Sequence, residues 1–442
     1  MLVVGGAGSG KSSCIAIPTL ETWGGTIFAI DIKGELTAHW NSLSTKRRPA
    51  KIFKLTNESE VSTTYDPFYF LRQGGEVNLV QNAREIAHAI IPLPPNTHDP
   101  FWIQSARHVL TAALLYGYGI GASFNVTMAR IQTIPMWELI EEIGKSDNLA
   151  ATMHIAQFIG IENPSDNKML TGISAELSNN VMVFATDLKI KDAFEHTENM
   201  MTWNDLDNTN IFMCISEDKL GQWDGAITMM LTQLIRTLER RPDKKYDLEG
   251  AKNNLPPVLL LLDEFPRLGK IDVIQNAIST LRSKWVTICL LMQSLTQLDK
   301  IYGNDSRKII VDNCQYKAIL NVTDPDNQKI FSDMVGSIIV PRKGYSSSKT
   351  DTADDTILAT SSQTSEIREP IIYSHEFATL KDEMVLMTPE GFCRVNKWPY
   401  YESEKCPLDL TVDEEWGGFE MSDPSYKLNP GKMIIEDMIF EE

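Results

Sequence analysis

The stretch "MLVVGGAGSGKSS" at residues 1–13 constrains the fold more than any other. Leu2-Val3-Val4 is a short apolar run that reads as a strand. It passes at once into a glycine-rich turn and then into "KSSCIAIPTLETW", which has helical spacing. Pro18 lacks a backbone donor and is expected to kink or end that helix. "TIFAIDIKGEL" follows as a second strand with Asp31 at its C-terminal end, and "AKIFKLT" at 50–56 as a third. Apolar strands alternating with helices imply a parallel sheet buried on both faces.

The turn itself is Gly5-x4-Gly10-Lys11-Ser12, the pattern of a phosphate-binding P-loop. In such a loop Gly5, Gly6, Ala7, Gly8, Ser9 and Gly10 turn backbone N–H groups toward phosphate oxygens. Lys11 reaches the β- and γ-phosphates, Ser12 binds Mg²⁺, and Ser13 lies in the same helical turn. The helix adds its positive N-terminal end. A glycine turn that merely precedes Lys-Ser is the alternative, and the flanking strand and helix argue against it.

A second apolar run, Val258 to Leu262, ends in Asp263-Glu264. An aspartate at a strand end can hold Mg²⁺ through water. A carboxylate directly after it is suited to polarise an attacking water as general base. Two solvated acids capping a buried strand are the bland reading, which the P-loop upstream makes minor. Asp-Glu together points to ATP hydrolysis on a RecA-like, additional-strand P-loop fold, and no N-K-x-D guanine signature is present. Gln293 ends the strand "VTICLLMQ", where a polar side chain can sense a γ-phosphate and pass its state to a neighbouring loop. Arg282, at a helix end, is the candidate arginine finger for a neighbouring subunit's nucleotide, with Lys284 and Arg267 as weaker competitors. A cation favourable to the helix dipole is the simpler account of Arg282.

Between about Asp99 and Asn199 β-branched alternation is scarce, and the segment reads as an inserted all-helical domain. "DPFWIQSARHVLTAALLYGYG" places Trp102, Ala106, Val109, Leu110, Ala113 and Leu114 on one face. Strands return at "TNIFMCIS" and later at "YKAILNV", and "DGAITMMLTQLIRTLERR" and "VIQNAISTLRSK" read as helices. "RRPDKKYDLEGAKNN" reads as a surface connection, and Lys343 to Glu366, rich in Ser, Thr and Asp, as a mobile loop. The expected division is therefore 1–97 and 206–406 for two parts of an α/β nucleotide-binding domain with a mostly parallel sheet. Residues 98–205 form the helical insertion, and 407–442 an acidic tail.

Length and composition set outer limits. With 442 residues and 43% hydrophobic content the chain can build two or three domains. No apolar run approaches the ~18 residues of a membrane span. "MLVV" lacks the basic start of a signal peptide. Six scattered cysteines without a C-x-x-C pair argue for reduced thiols in a cytosol and against zinc or a disulfide frame. The formal charge of −18 disfavours a surface that coats nucleic acid, yet allows a pore lined by a few cations.

Read in order, these blocks resemble the conjugative coupling proteins of type IV secretion systems, the TraG/TraD-like branch of the HerA–FtsK motor superfamily. The segments that carry the resemblance include "VVGGAGSGKSSCIAIPTLETWGGTIFAIDIKGEL", "DPFWIQSAR", "IFMCISEDKL", "LLLLDEFPRLGKI" and "LLMQSLTQLDKIYG". "ILNVTDPDNQKIFSDMVG" and "EIREPIIYSHEFATLKDEMVLM" extend it to about residue 400. The resemblance implies an ATP- and Mg²⁺-dependent ATPase forming a homo-hexamer on the cytoplasmic face of the bacterial inner membrane. It also implies DNA, relaxase or relaxosome, protein effectors and secretion-channel ATPases as partners, met in part through the helical insertion. It assigns nucleotide to Gly5, Gly10, Lys11 and Ser12, Mg²⁺ and water to Asp263 and Glu264, sensing to Gln293 and the finger to Arg282. Members normally carry transmembrane helices before the first strand, and here the strand begins at Leu2, so the expectation is a soluble part lacking that anchor. A chromosome-segregation or repair translocase of the same superfamily, and a non-hydrolysing docking platform, are the competing readings.

Overall fold

In the computed structural model the described residues are 1–43, 46, 48–56, 62–94, 97–243, 255–351, 356–405, 410–412 and 419–421. The chain runs β1 (Leu2–Val4), a π-helical turn (Lys11–Ala16), α1 (Ile17–Thr22), β2 (Thr26–Asp31), α2 (Glu35–Ser42) and β3 (Ala50–Leu55). Eight helices follow without a strand among the described residues: α3 (Pro67–Leu71), α4 (Glu76–Ile90), α5 (Phe101–Gly119), α6 (Phe124–Thr133), α7 (Met136–Gly144), α8 (Leu149–Ile155), α9 (Lys168–Thr186) and α10 (Leu188–Ala193). Then come β4 (Asn210–Ile215), α11 (Asp224–Glu239), β5 (Val258–Leu262), α12 (Ile274–Thr280), β6 (Val286–Met292), α13 (Leu295–Tyr302), α14 (Asn304–Asn313), β7 (Lys317–Ile319) and α15 (Pro325–Val335). A ribbon of β8 (Ser337–Asp351) and β9 (Thr356–Pro370) precedes β10 (Glu383–Thr388) and β11 (Gly391–Asn396).

Nine strands make one sheet in the order β11-β10-β7-β1-β6-β5-β2-β4-β3. From β7 to β3 every pairing is parallel; β10 and β11 add an antiparallel edge. The α/β reading of the sequence therefore holds, with two strands at one edge that the sequence did not announce. Alternation along the strands explains why both faces are buried. Leu2, Val4, Phe28, Ile30, Leu260, Leu262, Leu290 and Met292 pack on one face, beneath the helices. Val3, Ile27, Ala29, Leu259, Leu261 and Leu291 pack on the other, against α1 and α2. The helices α4–α10 share the first of these cores with the sheet, through residues such as Ile86, Leu110, Phe124, Phe184 and Phe194.

Two expectations are corrected. Of residues 343–366, the described ones, 343–351 and 356–366, are not a loop: they lie in the antiparallel ribbon β8–β9, whose register runs from Ser337↔Pro370 to Asp351↔Thr356. A segment rich in Ser, Thr and Asp carries little hydrophobic signal, so composition alone reads it as a loop. Pro18 neither ends nor breaks the P-loop helix. The first turn is wide, with Ile17 N–H donating to the Ser12 carbonyl, and Pro18 enters as the second residue of the α-helical part, where its missing donor costs little. The surface connection expected at 240–254 lies outside the described residues from 244 on, as does most of the acidic tail. Among the described residues no helix is long and apolar enough to cross a membrane.

The base of the ribbon is tied to α15. Ser332 Oγ of α15 donates to the Ile372 carbonyl at 2.6 Å, and Ile371 N–H to the Gly336 carbonyl at 3.1 Å. At the other end of α15, the fully buried Asn327 accepts from Leu295 N–H at 3.0 Å and donates to Ser294 Oγ at 2.9 Å.

Candidate functional site

The parallel register brings the C-terminal ends of β1, β6 and β5 together. Val4 pairs with Met292, Leu2 with Leu290, and Leu290 with Leu262. The residues that follow, Gly5, Gln293 and Asp263, therefore leave the sheet at one edge. β6 lies between the other two strands, which places Gln293 beside both the glycine loop and the Asp-Glu pair.

The glycine loop is pinned by backbone. Gly5 N–H donates to the Met292 carbonyl at 3.1 Å and Gly6 N–H to the Asn321 carbonyl at 2.8 Å. Two glycines are required by geometry. A Cβ on Gly5 would lie 2.4 Å from Ser9 Oγ and 2.9 Å from Leu320 Cβ. Gly10 has φ of 99°, a left-handed conformation that a side chain resists. Lys11 is 7% exposed and folds back over the loop, its Nζ donating to the Gly5 carbonyl at 2.7 Å and the Gly6 carbonyl at 3.2 Å. Burial pushes its pKa down, while Glu264 and Asp263 pull it up.

Asp263 and Glu264 are 8% and 4% exposed. Glu264 has φ of 47°, in the left-handed region where a side chain other than glycine is uncommon. That turn carries its carboxylate across the cleft to 3.9 Å from Lys11 Nζ. Gln293 Nε2 donates to both of its oxygens, at 3.1 and 3.2 Å. Glu264 N–H donates to Asp263 Oδ1 at 3.0 Å. Burial first, then the adjacent Glu264, raise the Asp263 carboxyl to about 6, against the pull of Lys11. Three buried charges and a glutamine from three remote segments thus meet at one strand edge.

They line a cleft of about 680 Å³ together with Ala7–Ser13. Gly5 and Gly6 form the loop's base behind it. The sequence missed several further lining residues: Lys33, Glu35, His39, Tyr400 and Tyr401. Lys33-Gly34-Glu35 carried a signal as part of a matching block, and the two tyrosines gave none beyond an aromatic pair near the end of the compact part. Asp31, at the tip of β2, is used internally, accepting from Thr37 N–H at 2.7 Å to start α2. Arg282 is not brought to this cleft. It stands exposed on the turn Leu281–Lys284, without a polar partner among the described residues. Its competitors are engaged: Arg267 with Glu217 at 2.6 Å and Lys284 with Asp243 at 2.8 Å.

The cleft fits a nucleoside triphosphate with Mg²⁺ on its own chemistry. Ser9 Oγ is buried without a hydrogen-bond partner, inside a loop whose glycines leave room for an oxyanion. The described residues contain no group of three or more His, Cys, Asp and Glu able to hold a metal alone. A site offering one hydroxyl and one carboxylate suits Mg²⁺, which takes its remaining ligands from phosphate and water.

Another cleft, of about 510 Å³, opens elsewhere between Tyr69, Arg72, Trp203, Arg240 and Arg241. It holds none of the motif residues.

Comparison with known proteins agrees with this geometry. A family model described as "Type IV secretory system Conjugative DNA transfer" matches residues 1–415. Protein VirD4 of Rhizobium radiobacter is 25% identical over 412 residues, covering 90% of this chain and 56% of the relative. Conjugal transfer protein TraG of Escherichia coli is 21% identical over 404 residues, covering 83% of this chain and 59% of the relative. The chain thus spans less than two thirds of the length of these relatives. Among solved structures, the plasmid coupling protein TrwB in complex with ADP and Mg²⁺ has a TM-score of 0.68 at 18% identity, over 92% of this chain and 87% of that one. VirB4 of Thermoanaerobacter pseudethanolicus has a TM-score of 0.51 at 12% identity, over 91% and 90%. With the family's model running through the glycine loop, the Asp-Glu strand and Gln293 alike, the chain belongs to the type IV secretory system conjugative DNA transfer family.

Proposed function

We propose that this chain is the motor part of an ATP-driven coupling protein, which hydrolyses ATP to pass substrate to a type IV secretion channel. The observation that carries the reading is the buried contact of Glu264 with Gln293 and Lys11 beside the glycine loop. TrwB supports it, having been solved with an ATP analogue, with a GTP analogue and with ADP and Mg²⁺.

Each residue has a task. The N–H groups from Ala7 to Ser13 and the Ser9 hydroxyl bind phosphate oxygens, while Gly5 and Gly6, whose own N–H groups are spent on the Met292 and Asn321 carbonyls, shape the loop's base. Lys11, released from the Gly5 and Gly6 carbonyls, turns to the β- and γ-phosphates. Ser12 and Asp263 hold Mg²⁺, which when bound neutralises charge developing on the phosphates. Glu264, freed from Lys11, orients and deprotonates water, and Gln293 reports the state of that carboxylate to the loop beginning at Ser294. Arg282 acts in this reading as the finger for a neighbouring subunit's nucleotide in a hexamer, a role its exposure outside its own cleft supports.

Residues 1–97 and 206–406 form the nucleotide-binding domain in this reading, and 98–205 the substrate-recognition domain. The latter exposes Leu149, Met153 and Leu188 to solvent, apolar side chains suited to a protein partner such as a relaxase or an effector. DNA, gripped through its backbone, is the other cargo, and the work takes place at the cytoplasmic face of the membrane. The test is ATP turnover with and without single-stranded DNA, for wild type and Lys11→Ala. DNA-stimulated hydrolysis that Lys11→Ala abolishes is expected. A wild-type chain that binds ATP but never turns it over would instead make it a nucleotide-gated docking platform.

A further inference from the structure

The far end of the nucleotide cleft is built from a segment nearly four hundred residues downstream of the glycine loop. Tyr400 and Tyr401 line the same cleft as Gly8, Lys11 and Ser12. They are held there by a relay of side chains. Glu21, near the C-terminal end of α1, accepts from His39 Nε2 at 2.7 Å. The His39 ring meets Tyr400 edge-on, with centroids 4.7 Å apart and planes at 70°. Tyr400 in turn meets Tyr401 edge-on at 5.2 Å and 77°. Backbone ties hold the same downstream segment against the loop, since Lys397 Nζ donates to the Ser9 carbonyl at 3.3 Å and to the Leu380 carbonyl at 3.2 Å.

Tyr400 is half-buried by this relay, and Tyr401 is not. Its ring is 67% exposed while His39, backed by Glu21, holds its neighbour in place. An aromatic face open at the mouth of a phosphate-binding cleft is free to take a stacking partner. Lys11 at the loop and Tyr401 at the mouth line one continuous cleft, so a single nucleotide can meet both.

We propose that Tyr401 is the platform on which the base of the bound nucleotide stacks, with Tyr400 and His39 as positioning residues beneath it. The inference rests on the reading of the cleft as a nucleoside triphosphate site and adds to it the subsite for the base. Stacking uses the π-face that every base has, so the platform secures the nucleotide without reading adenine against guanine.

The test compares ligands that keep or lack the base. Dissociation constants for ATP, GTP and inorganic tripolyphosphate, each with Mg²⁺, are measured by calorimetry for wild type, Tyr401→Ala and Tyr401→Phe. Tyr401→Ala is expected to weaken ATP and GTP alike by about tenfold or more, leaving tripolyphosphate within about twofold and the thermal midpoint unchanged. Tyr401→Phe, which keeps the ring, restores both nucleotides. Unchanged ATP affinity in Tyr401→Ala overturns the platform, and so does an equal loss for ATP and tripolyphosphate. A wild-type chain that binds tripolyphosphate and ATP equally also removes the base subsite while leaving the phosphate site standing. A wild-type chain that binds neither overturns the nucleotide reading itself.

Discussion

The strand-edge cleft and the helical segment between β3 and β4 are built on opposite terms. The cleft buries charge: Lys11, Asp263 and Glu264 are all under 9% exposed. The helices expose apolar side chains: Leu149, Met153 and Leu188 are 71%, 70% and 71% exposed. The cleft is gathered from segments hundreds of residues apart, and α5, α6, α8 and α9 pack mostly on one another. Each region spends stability in a different way. Buried charge costs desolvation unless fully paired, and exposed apolar surface forgoes burial. In the proposed reading such costs mark chemistry in the first region and an unfilled contact in the second.

The contrast can be broken experimentally, beginning where the effect is largest. Glu264→Gln keeps the size and one acceptor oxygen for Gln293 but removes the base. Steady-state hydrolysis is expected to fall by about 10²–10⁴-fold, with ATP affinity within a few fold of wild type. Normal turnover would strip Glu264 of its role and with it the account of why the cleft buries an acid.

Asp263→Asn tests whether the cleft is maintained against stability. The Asp263 carboxyl titrates near 6 in the folded chain, above the ordinary 3.8. Its native state therefore binds the proton more tightly than the unfolded chain does. The stability this provides is full below about pH 4 and is lost as pH rises through about 6. At neutral pH the ionised carboxylate leaves the ligand-free fold strained by its own charge. Asn should raise stability at pH 7.5 by on the order of 2–3 kcal/mol, seen as a melting point a few degrees higher. The gain should vanish near pH 4, and Mg²⁺-dependent nucleotide binding should be lost. A melting point that falls at pH 7.5 would mean the carboxylate is structurally paired.

The smallest effect belongs to the helices. Met153→Ser and Leu149→Ser should change stability by no more than about 0.5 kcal/mol and leave nucleotide affinity untouched. A loss of several degrees on melting would show that these side chains pack within the chain and would erase the contrast.

Much of the cleft is legible in the sequence because its residues obey local spacing rules. Gly5 to Ser12 sit on a fixed loop pattern, and Asp263, Glu264 and Gln293 mark the ends of apolar runs. The strands were readable because both faces are buried and the runs are unbroken. What escaped are features set by long-range register. Nothing local says that Tyr400 lies over His39, or that β10 and β11 add antiparallel strands beside β7. The ribbon β8–β9 was read as a loop because Ser, Thr and Asp dominate 343–366. Glu264 in a left-handed turn was invisible too, since sequence does not disclose a backbone that favours glycine.

That ribbon has a mechanical consequence. Gln293 touches Glu264, the next residue Ser294 is held by Asn327 of α15, and α15 ends where β8 begins. Fifteen residues per strand make an arm about 50 Å long. A tilt of about 5° at its base would carry the far end of the described arm through about 4 Å, so length alone makes the ribbon a lever on whatever turns its base.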